Sequence, residues 1–288
     1  MTNTTTADAI ADAGIETGTV RVANDVQLTY ERRGSGPDVV LVNNFFMDRK
    51  SWRSYTENLA STARLTSYDL RGQGDSSPLV GEPVWADHVT DLKALFDELG
   101  LEKAVLVGTS FSTLICRDFA VAYPSRVHGL VLAGPAMSPH GPQRLRRIIK
   151  AWLKTLDTSG LGALYEQLYP LVSGDRAVEQ AGPIGFMGRK QNFLGIHTVE
   201  ALRAGLAVSV KAPLDPAIMT RVVQPTLLFV GGDDFSLSSS AVEEMTRLFP
   251  DTTTVTVPHG GHLAFLEEPE WFQREVVKFI ERVAGPGG

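Results

Sequence analysis

Ser110 stands in the stretch Gly108-Thr109-Ser110-Phe111-Ser112, behind the apolar run Ala104–Val107 and ahead of the helix-like Thr113–Ala120. A tight strand-to-helix turn pushes its central side chain out of the sheet and sets the following amides at a helix N-terminus. Those amides favour both an alkoxide nucleophile and a developing oxyanion. A serine nucleophile also needs a base to take its proton and an acid to orient that base. His262, in His259-Gly260-Gly261-His262-Leu263, and Asp234, in Val230-Gly231-Gly232-Asp233-Asp234, offer both, in the chain order Ser, Asp, His. Asp233 and His259 are the alternatives. The Gly-x-x-Asp spacing favours Asp234, and the glycine pair before His262 lets the backbone approach a site closely. His88, His128, His140 and His197 show no pairing that suggests a metal.

These three residues need strands to carry them. Thr19–Val22 and Val26–Arg33 predict an antiparallel pair turning at Asn24-Asp25. Strand and helix patterns then alternate: strands at Asp38–Asn43, Leu65–Tyr68, Ala104–Thr109 and Val127–Ala133, and helices at Arg49–Ala60, Trp85–Leu99 and Phe111–Tyr123. Such alternation implies an α/β fold with a mostly parallel sheet and helices on both faces. The pattern stops at Gly134-Pro135 and resumes at Pro225–Val230. The intervening residues read as helices and loops, with helices expected over Pro142–Asp157, Leu161–Leu171 and Val199–Val210. A helical insertion there would sit over the carboxyl ends of the strands as a lid. A strand at Thr253–Val257 and an amphipathic helix at Pro269–Val283 complete the chain, so Ser110, Asp234 and His262 all fall at carboxyl ends of strands.

The composition, 43% hydrophobic and 21% charged, is that of a globular protein, and a net charge of −6 argues against a nucleic-acid partner. The single cysteine, Cys116, excludes an intrachain disulfide and fits a reducing compartment. Residues 1–18 are Thr- and Ala-rich with neither a basic start nor an apolar core, which reads as a mobile tail and not a signal peptide. With no apolar run near the roughly 20 residues a membrane span needs, the expectation is a cytoplasmic protein with no membrane partner, a monomer or homodimer.

With the Ser-Asp-His order, Ser67–Ser76, Gly231–Asp234, and Gly261-His262 leading to Glu267-Glu268-Pro269, the chain resembles the α/β-hydrolase superfamily across about residues 19–285. The resemblance implies an eight-stranded, mostly parallel sheet with a helical lid after the sixth strand: a core of 19–135 and 222–288 and a lid of 136–221. After the third strand, Asn43, Asp48 and Trp52 match the serine-dependent 3-oxoadipate enol-lactonase group, while Asn44, Phe45, Phe46 and Met47 do not. By position, the amides of Phe45 and Phe111 would form the oxyanion hole, and Asn43, Asn44, Phe46, Trp152 and Leu263 the substrate pocket. Two departures stand out. Ser112 replaces an elbow glycine, where it either distorts the turn or adds a hydrogen bond, and Phe46 would narrow the acyl side of the pocket.

The expected activity is hydrolysis of an ester or lactone of a hydrophobic small molecule through an acyl-enzyme, with no metal and no cofactor. The alternatives are acyl transfer, cyclisation or thioester cleavage in a biosynthetic pathway, or a non-hydrolytic or ligand-binding role on the same fold. Arg144, Arg146, Arg147, Lys150 and Lys154 give the first lid helix a basic face, either plainly solvated or a dock for an acidic partner such as an acyl-carrier protein.

Overall fold

The computed structural model describes residues 14–285 except 80 and 83. Its strands are β1 (Glu16–Arg21), β2 (Gln27–Arg33), β3 (Asp38–Val42), β4 (Arg64–Tyr68), β5 (Ala104–Thr109), β6 (Val127–Ala133), β7 (Thr226–Gly231) and β8 (Thr252–Val257). They form one sheet in the order β1-β2-β4-β3-β5-β6-β7-β8. β1 and β2 pair antiparallel, as do β2 and β4, and every other pair is parallel. The central strands are buried on both faces, which is why β5 and β7 read as unbroken apolar runs and not as alternating ones. Of the tail expected over 1–18, residues 1–13 lie outside the described residues, and Glu16, Thr17 and Gly18 already belong to β1. The β1–β2 turn holds Asn24 and Asp25 at φ 63° and 58°, the left-handed region these two residue types tolerate best after glycine.

Strand side chains alternate between two cores. Val39, Leu41, Val105 and Val107 face one side and pack with Phe272, Val276, Phe279 and Ile280 of the closing helix α8 (Pro269–Ala284), which follows the one-turn helix α7 (Ala264–Glu267). Val40, Val42 and Leu106 face the other side, with Leu92, Leu95 and Phe96 of α1 (Trp85–Glu98) and Leu114, Ile115 and Phe119 of α2 (Ser112–Ala122). Between β7 and β8 the chain forms α6 (Ser239–Leu248).

Between β6 and β7 lie α3 (Gln143–Val172), α4 (Asp175–Ile196) and α5 (Val199–Val210). α3 fuses the two helices expected over 142–171, with a break at Gly160, whose φ is 77°. No helix is predicted over 175–196: Gly182-Pro183, Gly185, Gly188 and Gly195 hide its periodicity, and α4 does break at Gly182. The helix expected over Arg49–Ala60 is instead two 3₁₀ segments, Arg49–Tyr55 and Leu59–Ser61. Among the described residues no single helix is long and apolar enough to cross a membrane.

The loops after β3 and β4 are joined by buried charge. Asp69 accepts hydrogen bonds from the Arg49 amide at 2.7 Å and the Asp75 amide at 3.0 Å, and pairs with the Arg49 guanidinium. That guanidinium also faces Asp75 at 2.7 Å and Glu31 at 3.2 Å. Removing one partner of a buried pair leaves the other uncompensated. Asp69→Ala should therefore cost about 3 kcal/mol, the low end for such a break because Glu31 and Asp75 still face Arg49. Urea unfolding would show this as a lowered midpoint at unchanged slope, with Asp69→Asn losing less.

Candidate active site

Ser110 follows β5 directly, and its φ of 51° is unusual for a residue with a side chain. Such a conformation costs on the order of 1–3 kcal/mol and persists only where neighbours enforce it. The Ser110 amide donates to the Ala133 carbonyl at 3.0 Å, Thr113 Oγ1 donates to the Ser110 carbonyl at 2.5 Å, and the Thr113 amide donates to it at 3.1 Å. Gly108 is needed just before the turn, since a Cβ there would stand 2.8 Å from Cys116 Sγ and 2.9 Å from the Ser112 carbonyl oxygen. Ser112 adds a tie to the elbow. Its hydroxyl accepts from the Thr109 amide at 2.8 Å, with the Val42 carbonyl at 2.7 Å and the Thr109 carbonyl at 2.9 Å in reach of its one proton. The ends of β3 and β5 are thus bridged by a side chain that a glycine lacks.

The structure brings the three predicted residues together. His262 Nε2 lies 3.0 Å from Ser110 Oγ, and His262 Nδ1 lies 2.8 Å from Asp234 Oδ2. Asp233 and His259, the alternatives, face each other on the surface at 3.7 Å and touch neither Ser110 nor His262 within hydrogen-bonding distance. The glycines at the ends of β7 and of the His262 loop touch backbone to backbone, so a Cβ on Gly231 would strike the Gly260 and Gly261 carbonyls. Ser236 is a contributor that sequence reasoning missed. Its amide and hydroxyl both donate to Asp234 Oδ1 at 2.7 Å, and its oxygen lies 3.3 Å from His262 Nδ1. An acid followed two residues later by serine is a common turn, and nothing in its spacing marks it out. Burial pushes the Asp234 carboxyl up, but the His262 charge and the bonds from His262 and Ser236 outweigh it and hold the group below its ordinary value.

Beside Ser110, the turn after β3 is held from two sides. Asn44 Oδ1 accepts from the Phe46 amide at 2.7 Å, and Gln73 Nε2 donates to the Asn44 carbonyl at 2.7 Å. The Phe45 and Phe111 amides have no hydrogen-bond partner among the described residues. Their side chains pack together with ring centroids 6.1 Å apart. His88 sits edge-on to Phe45; burial, then the Arg71 charge, push its imidazole down to about 3, so it packs as a neutral ring.

A cavity of about 370 Å³ opens over Ser110 and His262. Asn44, Phe46, Trp152 and Leu263 line it. Phe46 narrows it by packing edge-on to Trp152 at 5.8 Å and stacking on Phe193 at 6.3 Å. Asn43 does not line it. That side chain is fully buried, accepting from the Trp52 indole at 2.8 Å and facing Asp69 and Gln73 at 3.5 Å, because the chain turns toward the cavity only after it. The other wall comes from α3, with Tyr165 and Tyr169, and from α4, with Arg189, Asn192, Phe193 and Ile196. Burial, then Tyr169, push the Tyr165 phenol up to about 12 against the pull of Arg189. Among the described residues no cluster of His, Cys, Asp or Glu could hold a metal ion.

The profile of the Alpha/beta hydrolase family matches residues 39–275. A pimeloyl-[acyl-carrier protein] methyl ester esterase of Nitrosomonas europaea is 30% identical over 253 residues, covering 84% of this chain and 95% of its own. A thermophilic esterase from Thermogutta terrifontis has a TM-score of 0.83 at 25% identity, over 93% of this chain and 99% of its own. The enol-lactonase of Burkholderia xenovorans LB400 shares the fold, with a TM-score of 0.78 at 20% identity, over 92% and 99% of the two chains.

Two measurements check this geometry. Ser112→Ala leaves the Thr109 amide without its buried acceptor and should cost about 1–3 kcal/mol in urea unfolding. Asp234 has a folded-state pKa below its unfolded value, so its contribution is complete above about pH 4 and lost as pH falls through the folded value. Thermal melts between pH 5 and pH 3 should accordingly show a shallower loss of stability in Asp234→Asn than in the parent.

Proposed function

Because the chain belongs to the Alpha/beta hydrolase family, we propose that it is a serine hydrolase that cleaves a carboxylic ester or lactone of a hydrophobic small molecule. The observation that carries this reading is the unbroken path Ser110–His262–Asp234, with contacts of 3.0 Å and 2.8 Å, at the base of a largely apolar cavity. Ser110 Oγ attacks the substrate carbonyl carbon as His262 Nε2 takes its proton. Asp234, kept ionised, accepts the hydrogen bond from His262 Nδ1–H and stabilises the imidazolium. The unpartnered Phe45 and Phe111 amides receive the oxyanion. The imidazolium then protonates the leaving alcohol, and water activated by Nε2 releases the acid and restores Ser110. The helices α3 to α5 serve as the lid that shields these steps from bulk water.

A second reading concerns how the acyl group arrives. Arg147, Lys150 and Lys154 form an exposed stripe on α3, and none has an ion-pair partner among the described residues. The Nitrosomonas relative is named for an ester carried on an acyl-carrier protein. An acidic carrier docking on this stripe would bring its ester to the cavity.

Exposure to a fluorophosphonate should add one adduct to the intact protein, read by mass, and Ser110→Ala should abolish it. Absence of the adduct on folded protein would sink the mechanism. Asp234→Asn, which leaves His262 in the wrong tautomer, should lower kcat on an activated ester by roughly 10³–10⁴. Charge reversal at Lys150 and Lys154 should raise KM for a carrier-bound ester and leave KM for the free methyl ester unchanged.

A further inference from the structure

The cavity wall built by α3 and α4 has a chemistry that ester cleavage alone does not use. Arg189 is the one Lys or Arg among the described residues lining the cavity, and no Asp or Glu lines it. The guanidinium is exposed and has no ion pair or hydrogen bond among the described residues. Glu166, on the neighbouring helix, is already taken by Lys190. Asn192 lies three residues further along α4 on the same lining and presents an amide. Tyr169, 7% exposed, also lines the cavity, and its phenol oxygen is buried with no hydrogen-bond partner. Buried hydroxyls are normally satisfied, so an orphan beside a cavity marks a place for a ligand's oxygen. Tyr165, neutral over the working pH range, adds a second phenol to the same wall.

We propose that this wall binds a carboxylate at the end of the substrate remote from the bond cleaved, with Arg189 as its charged anchor. The substrate class is then the half-ester or lactone of a dicarboxylic acid: an apolar chain in the cavity, an ester carbonyl at Ser110, and an anion at Arg189. This assignment rests on the serine-hydrolase reading of the same site. A planar guanidinium flanked by an amide suits a carboxylate's two coplanar oxygens. Its exposure means that the anchor works in partly hydrated surroundings, so its effect is moderate and falls with salt.

The test compares two p-nitrophenyl esters of equal chain length, the hexanoate and the mono-ester of adipic acid, which differ in the terminal carboxylate. The parent enzyme should prefer the carboxylate-bearing ester in kcat/KM, with the preference residing in KM. Arg189→Gln should reduce that preference roughly fivefold to tenfold, and Arg189→Lys should restore part of it. Rising ionic strength should erode the preference in the parent and not in Arg189→Gln. Arg176→Gln, an exposed arginine of the same helix away from the cavity, should leave the preference intact. Equal handling of the two esters by the parent, or an unchanged preference in Arg189→Gln, would overturn the anchor while leaving the hydrolase standing. Binding separates the other failure. Calorimetry on Ser110→Ala should give tighter binding of monomethyl adipate than of methyl hexanoate, again dependent on Arg189. That result without any ester turnover in the parent would keep the anchor and refute the hydrolase, and equal affinities would refute the anchor whatever the turnover.

Discussion

The buried pair of Asp69 with Arg49 fixes where the loops after β3 and β4 stand relative to each other, and the site depends on that placement. Asp69 has no exposed surface, and burial holds its carboxyl above the ordinary value in spite of the Arg49 bonds. A pair in such a setting contributes little net stability, because desolvation offsets most of the attraction. Its effect is positional. Each of its bonds ends on the 43–49 or the 69–75 segment or on Glu31 of β2, so the turn at Asn44 and Phe45 inherits its position from the sheet. Gly74 belongs to the same arrangement, since a Cβ there would collide with the Asp69 carboxylate.

The strained backbone at Ser110 is maintained in the same manner. A residue at φ 51° would relax if its neighbours allowed it, and the Ala133 carbonyl, the Thr113 hydroxyl and the Ser112 bridge prevent that. Ser112 shows that an elbow without its second glycine need not be distorted, because the added hydroxyl finds acceptors on two adjacent strands. The rigid half of the site is thus built from strand ends and short hydrogen-bonded turns. The cavity wall from α3 and α4 relies on aromatic packing, with Tyr165, Tyr169, Phe186 and Phe193 in mutual contact.

Legibility in the sequence followed the same division. The buried strands announce themselves as apolar runs, and the Ser-Asp-His order with its glycines locates the strand ends, so Ser110, Asp234 and His262 were readable from local pattern. Elements held by tertiary contacts were less so. Arg49–Tyr55 has the composition of a helix, yet Asp48 caps it through Ser51 and the Asp69 network draws it into 3₁₀ turns. Asn43 has the polarity of a pocket residue and is instead buried, bonded to Trp52, because one residue of chain direction decides which side of the loop it faces. α4 is concealed by four glycines and a proline between 182 and 195, and with it went Arg189, Asn192 and Ile196.

The point at which the helical insertion leaves the sheet has an evolutionary consequence. β6 and β7 are adjacent and parallel, with Ala133 opposite Phe229, so the insertion begins and ends at neighbouring strands. The entropy of closing a loop grows only with the logarithm of its length. Exchanging α3 to α5 for a shorter or longer segment would change the closure cost little and would leave the register of β6 and β7 untouched. Half of the cavity is therefore a cassette. Recombination at this junction can hand the same reactive strand ends a new set of walls, and a lineage can explore substrates without first unmaking the scaffold that cleaves them.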